Sequence, residues 1–359
     1  MTSYADRVRG CLVYGAVGDA IGAQVELLGW PQIQERFGPK GVVGLAPDSP
    51  FTDDTQMTLF TVEGLIRHST RGRPLGSGAL AATVRNAYLR WWWTQTGQTL
   101  TRPASSLDGW LAHDRRLHVR RGPGKTCLSA LASGAFGSVE EPINNSKGCG
   151  AVMRAAPVGL YARNPERLRE TYRAGCAIGA LTHGHPDGWG PAGALACMTA
   201  LLTHDAPILD AARTTLELVS GNTAALLGRA VSLAASRTVT RESVEKELGG
   251  GWTGDEALAI AVACAGAFDD PKEAILAAAN HSGDSDSTGA ICGNLIGALH
   301  GFGENGAGVL PCEWLDALRD RDLVRQVAED FVFDLTENPW NDFTGDEVPR
   351  WWRLRYPGS

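Results

Sequence analysis

The chain has 359 residues, 43% hydrophobic and 20% charged, with a formal net charge of −7. That composition excludes a disordered chain and leaves ample material for a core. It argues against a nucleic-acid binder working by bulk electrostatics. No apolar run approaches the ~18 residues of a membrane span. The opening MTSYADRVRG lacks a basic-then-apolar export signal, so a cytoplasmic chain with no membrane partner is expected. The 8 cysteines form no Cys-x-x-Cys pair and several sit in Ala-rich stretches, which predicts reduced, buried thiols.

Apolar residues at three-to-four spacing predict helices over residues 4–15, 57–70, 79–93, 192–202, 256–267 and 272–279. Alternating strand patterns are scarce, with residues 41–45 and 331–335 as the two short candidates. The polar stretches 71–78 and 141–147 read as loops, and no linker divides the chain. One compact, multi-helix all-α domain is expected over residues 1–310, with residues 311–359 as a C-terminal extension packed on it. Trp91-Trp92-Trp93 and Trp351-Trp352 read as intramolecular packing rather than ligand platforms.

Five motifs carry candidate chemistry. FTDDTQMTL (51–59) places Asp53 and Asp54 between Thr52 and Thr55, directly before an apolar helical run. One helix cap needs one acceptor, and here three oxygen-bearing side chains compete for it. NHSGDSDSTG (280–289) also precedes a helical run and presents Asp284, Asp286 and Ser287 as hard oxygen donors suited to Mg²⁺, Mn²⁺ or Ca²⁺. An EF-hand starting at Asp284 fails, because its twelfth position is Leu295 rather than Glu. A dehalogenase-type phosphatase fails too, because the residues before the motif are Ala-rich and helical rather than a strand. Together the two clusters would crowd negative charge, a conflict that a pair of divalent ions about 3.5–4 Å apart removes.

SKGCGAVMRAAPVG (146–159) is a small-residue turn leading into a helix; taken alone it reads first as an ordinary glycine loop, and the alternative is an anion site where Gly148 and Gly150 let backbone N–H groups approach a diphosphate with help from Lys147. GAVGDAIGAQVE (15–26) has glycines at the small spacing of tightly packed helices. Asp19 there reads as structural, and Glu26 shares its face if the helix continues. In LTHGHP (181–186) no third soft ligand accompanies the two histidines, which argues against zinc. His183 reads as a hydrogen-bonding or stacking group in a cleft, and His185 as shaping the turn before Pro186.

These blocks, in this order, resemble the ADP-ribosylglycohydrolase family, with weaker similarity in AYLRWWWTQTG, RRGPGKTCLSAL and GWTGDEALAIA. The resemblance spans roughly residues 7–303 and implies a single all-α domain. It implies two Mg²⁺, or Mn²⁺ in some members, held by Thr52, Asp53, Asp54, Asp284, Asp286 and Ser287. Ser287 stands where the family usually has Thr, which keeps the hydroxyl but loses a stiff β-branched side chain. Glu26 falls on a family acid that reaches the metals or gates the cleft. Gly148, Cys149, Gly150 and Met153 fall on the loop for the diphosphate and distal ribose, and His183 on an ADP-ribose contact.

The implied reaction is cleavage of the glycosidic bond between the distal ribose and an acceptor, with arginine on protein as the family default. The metals would hold the ribose hydroxyls while water attacks the anomeric carbon. Asp284 or Glu26 would be the general base, beside Asp53. ADP-ribose and an ADP-ribosylated protein are the expected partners, and a monomer the expected state. The alternatives are a non-catalytic ADP-ribose binder, or a hydrolase of serine-linked, O-acetyl, polymeric or nucleic-acid-linked ADP-ribose.

Overall fold

The computed structural model describes residues 2–72, 74–76, 78–98, 107–303, 308–340 and 348–358. Helix follows helix along all of them. First come α1 (Tyr4–Gly22), α2 (Trp30–Phe37), α3 (Asp53–Ser69) and α4 (Gly78–Thr96). After the short α5 (Trp110–His113) and α6 (Lys125–Ala132), a 3₁₀ turn, Cys149–Arg154, leads into α7 (Ala156–Ala162). Then come α8 (Leu168–Ala180), α9 (Pro186–Leu202), α10 (Ile208–Leu216), α11 (Gly221–Ala235) and α12 (Arg241–Glu247). The chain continues through α13 (Gly254–Ala267), α14 (Pro271–Ala279) and α15 (Ser285–His300) to α16 (Cys312–Ala317), α17 (Arg321–Glu337) and α18 (Arg350–Arg355). Among the described residues no strand forms, and the fold is all-α.

Both strand expectations are therefore corrected. Phe331 and Leu335 lie inside α17, where Leu323, Val324, Val327, Ala328, Phe331 and Leu335 are all buried. That is a helical period, and the local apolar alternation was misleading. Residues 41–45 form no strand, and Val42 pairs with a side chain instead. The Asn280 amide accepts from Val42 N at 2.8 Å and donates to Val42 O at 2.8 Å.

The architecture turns on the antiparallel contact of α1 with α15. A Cβ built on Gly18 would stand 2.0 Å from Gly289 O, one on Gly293 2.1 Å from Tyr14 O, and one on Gly22 2.0 Å from Ser285 O. Only hydrogen fits between these backbones, so the glycine stripe lets the two helices approach more closely than side chains permit. The result brings the start of α15 beside the end of α1, and α3 packs against both.

Near the C-terminal end, residues 356 and 357 contact α17 and α3. Arg67 of α3 donates to Asp108 Oδ1 at 2.8 Å and to Pro357 O at 3.3 Å. Tyr356 donates to Asp330 Oδ2 at 2.6 Å. Trp91 and Trp352 are wholly buried, Trp91 donating to Gln56 Oε1 at 3.1 Å, so these act as packing groups; Trp351 is half-exposed.

Candidate active site

Thr52 is the N-cap of α3, and its hydroxyl accepts from Asp54 N at 3.3 Å. The backbone donors at this helix start are claimed from another helix. Asp19 of α1 accepts from Thr52 N at 2.9 Å, from Thr55 N at 3.0 Å and from the Thr55 hydroxyl at 2.5 Å. Because Asp19 does the capping, Asp53 and Asp54 are released from it. Asp53 Oδ2 accepts from Gly124 N at 3.1 Å, while Asp54 Oδ2 is buried with no hydrogen-bond partner among the described residues.

The second cluster opens α15. Asp284 N donates to Gly250 O at 2.8 Å, which ties this turn to residues 249–252. A Cβ on Gly283 would stand 1.9 Å from the same oxygen, so this approach requires glycine. Asp284 is the N-cap residue of α15, yet its side chain makes no cap bond. Its Oδ2 instead accepts from the Cys149 thiol at 3.0 Å. Asp286 Oδ1 accepts from Ser287 N at 2.9 Å, and both residues are buried.

Glu26 is not placed as the sequence suggested, because α1 ends at Gly22 and residues 23–27 turn. The turn nevertheless carries Glu26 into range of Asp286, whose charge acts on its carboxyl. The structure thus gathers Asp19, Glu26, Asp53, Asp54, Asp284 and Asp286 into mutual electrostatic range. Burial, then the charge of Asp286, pushes Asp53, Asp54 and Asp284 well above the usual carboxylate range. The same two causes push Asp19 and Glu26 up to about 7.

The donor set fits a hard divalent cation. It is all oxygen, it holds more negative charge than its burial tolerates, and Asp54 Oδ2 lacks any partner inside it. Among the described residues, no three His, Cys, Asp or Glu side chains already stand as a closed ligand group. Asp53 and Asp284 are turned instead toward Gly124 and Cys149.

The third motif borders these acids as the 3₁₀ turn Cys149–Arg154. Gly148 and Gly150 face His183: a Cβ on either would lie 3.2 or 3.3 Å from His183 Nε2. Burial drives the His183 imidazole down to about 3, so it is neutral. Sequence reasoning missed how it is held. Arg154, fully buried, donates to the Thr182 hydroxyl at 2.6 Å, and that hydroxyl stands 2.8 Å from His183 Nδ1. Arg154 only donates, so the Thr182 hydroxyl accepts from it and keeps its own O–H free to donate to Nδ1. In the tautomer that accepts this bond, Nε2 carries the ring proton and faces the glycine turn as a donor. Among the described residues no carboxylate pairs with the Arg154 guanidinium; it lies over the Tyr88 ring at 4.2 Å, so from sequence it had no visible partner. Met153 is buried at the far side of the turn, and its carbonyl accepts from the Thr58 hydroxyl at 3.4 Å. Lys147, expected beside an anion, is engaged with Asp187 at 3.2 Å. His185 caps α9, its Nδ1 accepting from Asp187 N at 3.0 Å, as its turn-shaping reading expected.

Over most of its length the chain is similar to several known proteins. An archaeal protein of Archaeoglobus fulgidus, uncharacterized, is 26% identical over 330 residues, covering 90% of this chain and 95% of its own. The ADP-ribosylarginine hydrolase Tri1 of Serratia proteamaculans is 25% identical over 91% of this chain and 79% of its own. The Tri1 of Pseudomonas putida is 25% identical over 92% and 78%. A solved chain from an ADP-ribosylglycohydrolase-related protein complex shares the fold at a TM-score of 0.64, with 24% identity, over 94% of this chain and all of that one. The model of one family, ADP-ribosylglycohydrolase, matches residues 1–341, and the chain belongs to that family of glycoside-cleaving hydrolases.

Proposed function

We propose that this chain hydrolyses the bond between the distal ribose of ADP-ribose and an arginine side chain on protein, in a reaction that depends on two Mg²⁺ or Mn²⁺. The observation that carries this reading is the meeting of two acidic helix starts in one buried cluster, with Asp54 Oδ2 unpartnered within it. Arginine as acceptor is supported by the two relatives described as ADP-ribosylarginine hydrolases.

Thr52, Asp53, Asp54, Asp284, Asp286 and Ser287 would hold the cations. Bound there, the cations would supply positive charge for the vicinal hydroxyls of the ribose and lower the pKa of water. The remaining work falls to the chain. The Gly148–Gly150 turn, with Cys149 and Met153, seats the diphosphate and distal ribose, and His183 Nε2 donates a hydrogen bond there. Glu26 or Asp284 takes the proton of the attacking water, with Asp53 fixed beside it by Gly124 N. Arginine's guanidine is a basic leaving group, so it departs with a proton delivered within the same acidic cluster. The C-terminal extension is read as part of this domain, a reading supported by the packing of α17 on α1 and α3.

The test is a panel of ADP-ribose conjugates, with arginine, serine, O-acetyl, polymer and nucleic-acid linkages, incubated with and without Mg²⁺. Released ADP-ribose is read by mass spectrometry. Release from the arginine conjugate alone, and only with Mg²⁺ or Mn²⁺, is expected. Binding without release from any conjugate would overturn the reading.

A further inference from the structure

Residues 115–139 contain five Arg or Lys and no Asp or Glu, in a chain whose net charge is −7. The first part of this stretch is clamped against the first acidic cluster. Gln56 Nε2 donates to Val119 O at 3.0 Å, Asp53 N donates to Arg121 O at 2.9 Å, and Gly124 N donates to Asp53 Oδ2 at 3.1 Å. A Cβ on Gly122 would stand 3.7 Å from Asp53 Oδ1. The loop is thus a wall of the candidate active site.

Its cations divide into two sets. Arg116 is paired with Asp114 and Asp322, and Arg121 with Asp320; these fasten the loop to its neighbours. Arg115, Arg120 and Lys125 are exposed, and none has an ion-pair partner among the described residues. Val119, 51% exposed, stands among them. The loop's own structure does not use these three charges. Exposed cations left without an ion pair on a loop that borders an acidic cleft are what a contact surface for an opposite charge requires.

We infer that this rim is the acceptor-recognition surface, and that it fits an acidic segment of the ADP-ribosylated protein flanking the modified arginine. The inference rests on the proposed arginine-linked hydrolysis. A protein segment suits the rim better than a nucleic acid: the cations are few, an apolar Val119 lies between them, and the rest of the chain repels polyanions.

The experiment compares three substrates: free ADP-ribosyl-arginine, and the same modified arginine in a peptide flanked by Asp and Glu or by Lys. The wild-type chain is expected to prefer the acidic peptide by roughly tenfold in kcat/KM, with the preference shrinking as salt rises. Arg115→Glu with Arg120→Glu should abolish or invert that preference while leaving turnover of free ADP-ribosyl-arginine unchanged. Both positions are exposed, and the small substrate doubles as the folding control. Three results would overturn the inference: equal use of both peptides by the wild type, loss of free ADP-ribosyl-arginine turnover in the double variant, or stronger competition by a single-stranded oligonucleotide than by the unmodified acidic peptide. Failure of the wild type on all three substrates would instead overturn the proposed function.

Discussion

Gly18→Ala tests whether the α1–α15 contact holds the two acidic helix starts together. The new Cβ would stand 2.0 Å from Gly289 O and 2.6 Å from Gly289 C. A relaxed carbon–oxygen contact is about 3.3 Å, so the helices must part by more than about 1 Å. Both obstructing atoms are backbone, so no side chain can swing aside. Overpacking of this kind costs about 1–3 kcal/mol, and the upper end applies here. The helix preference of Ala over Gly returns about 1 kcal/mol, leaving a net loss of about 1–2 kcal/mol. Gly228→Ala in α11 is the matched control, because nothing lies within 4 Å of a Cβ there. That change should stabilise by about 0.5–1 kcal/mol. Urea midpoints at constant m, taken in chelator, read both values. Opposite signs are expected, together with lost hydrolysis in Gly18→Ala alone. A Gly18→Ala chain as stable as the wild type would refute the reasoning.

Asp53→Asn and Asp284→Asn should each reduce ADP-ribose release by at least ~10³-fold, while leaving the cation-free fold as stable as the wild type or more so, because each removes charge from a self-repelling cluster; kinetics and urea unfolding of the same preparations check both. The cation-free chain should lose stability as pH rises from about 4 through 7: Asp19 and Glu26 titrate near 7 when folded but in the ordinary carboxylate range when unfolded, so the folded state holds more protons across that window. Urea midpoints at pH 5 and pH 8 in chelator measure this, and added Mg²⁺ should remove the difference. Thr182→Val should raise KM for ADP-ribosyl-arginine severalfold with little change in kcat, because His183 loses the hydroxyl that sets its tautomer; a nitrogen-15 spectrum of the imidazole should show the Nε2–H form depleted.

The helices were legible because their Ala- and Leu-rich runs carry the 3.6-residue period, and both acidic clusters were legible as helix starts with more oxygen donors than a cap uses. Three things were hidden, each for a physical reason. The pattern of residues 331–335 imitates a strand locally, and only the longer period from Leu323 to Leu335 reveals α17. Glu26 reaches Asp286 through a turn after Gly22, which helical spacing does not anticipate. The capping of α3 by Asp19 and the Arg154–Thr182–His183 relay join residues distant in sequence, and depend on how closely glycines let helices meet.

The most direct test is a Mn²⁺ titration followed by electron paramagnetic resonance on the wild-type chain, Asp53→Asn and Asp284→Asn. Two ions shared between the helix starts should bind the wild type, and either substitution alone should weaken or abolish both. If each variant still binds Mn²⁺ as the wild type does, the acids of α3 and α15 do not form one cation site.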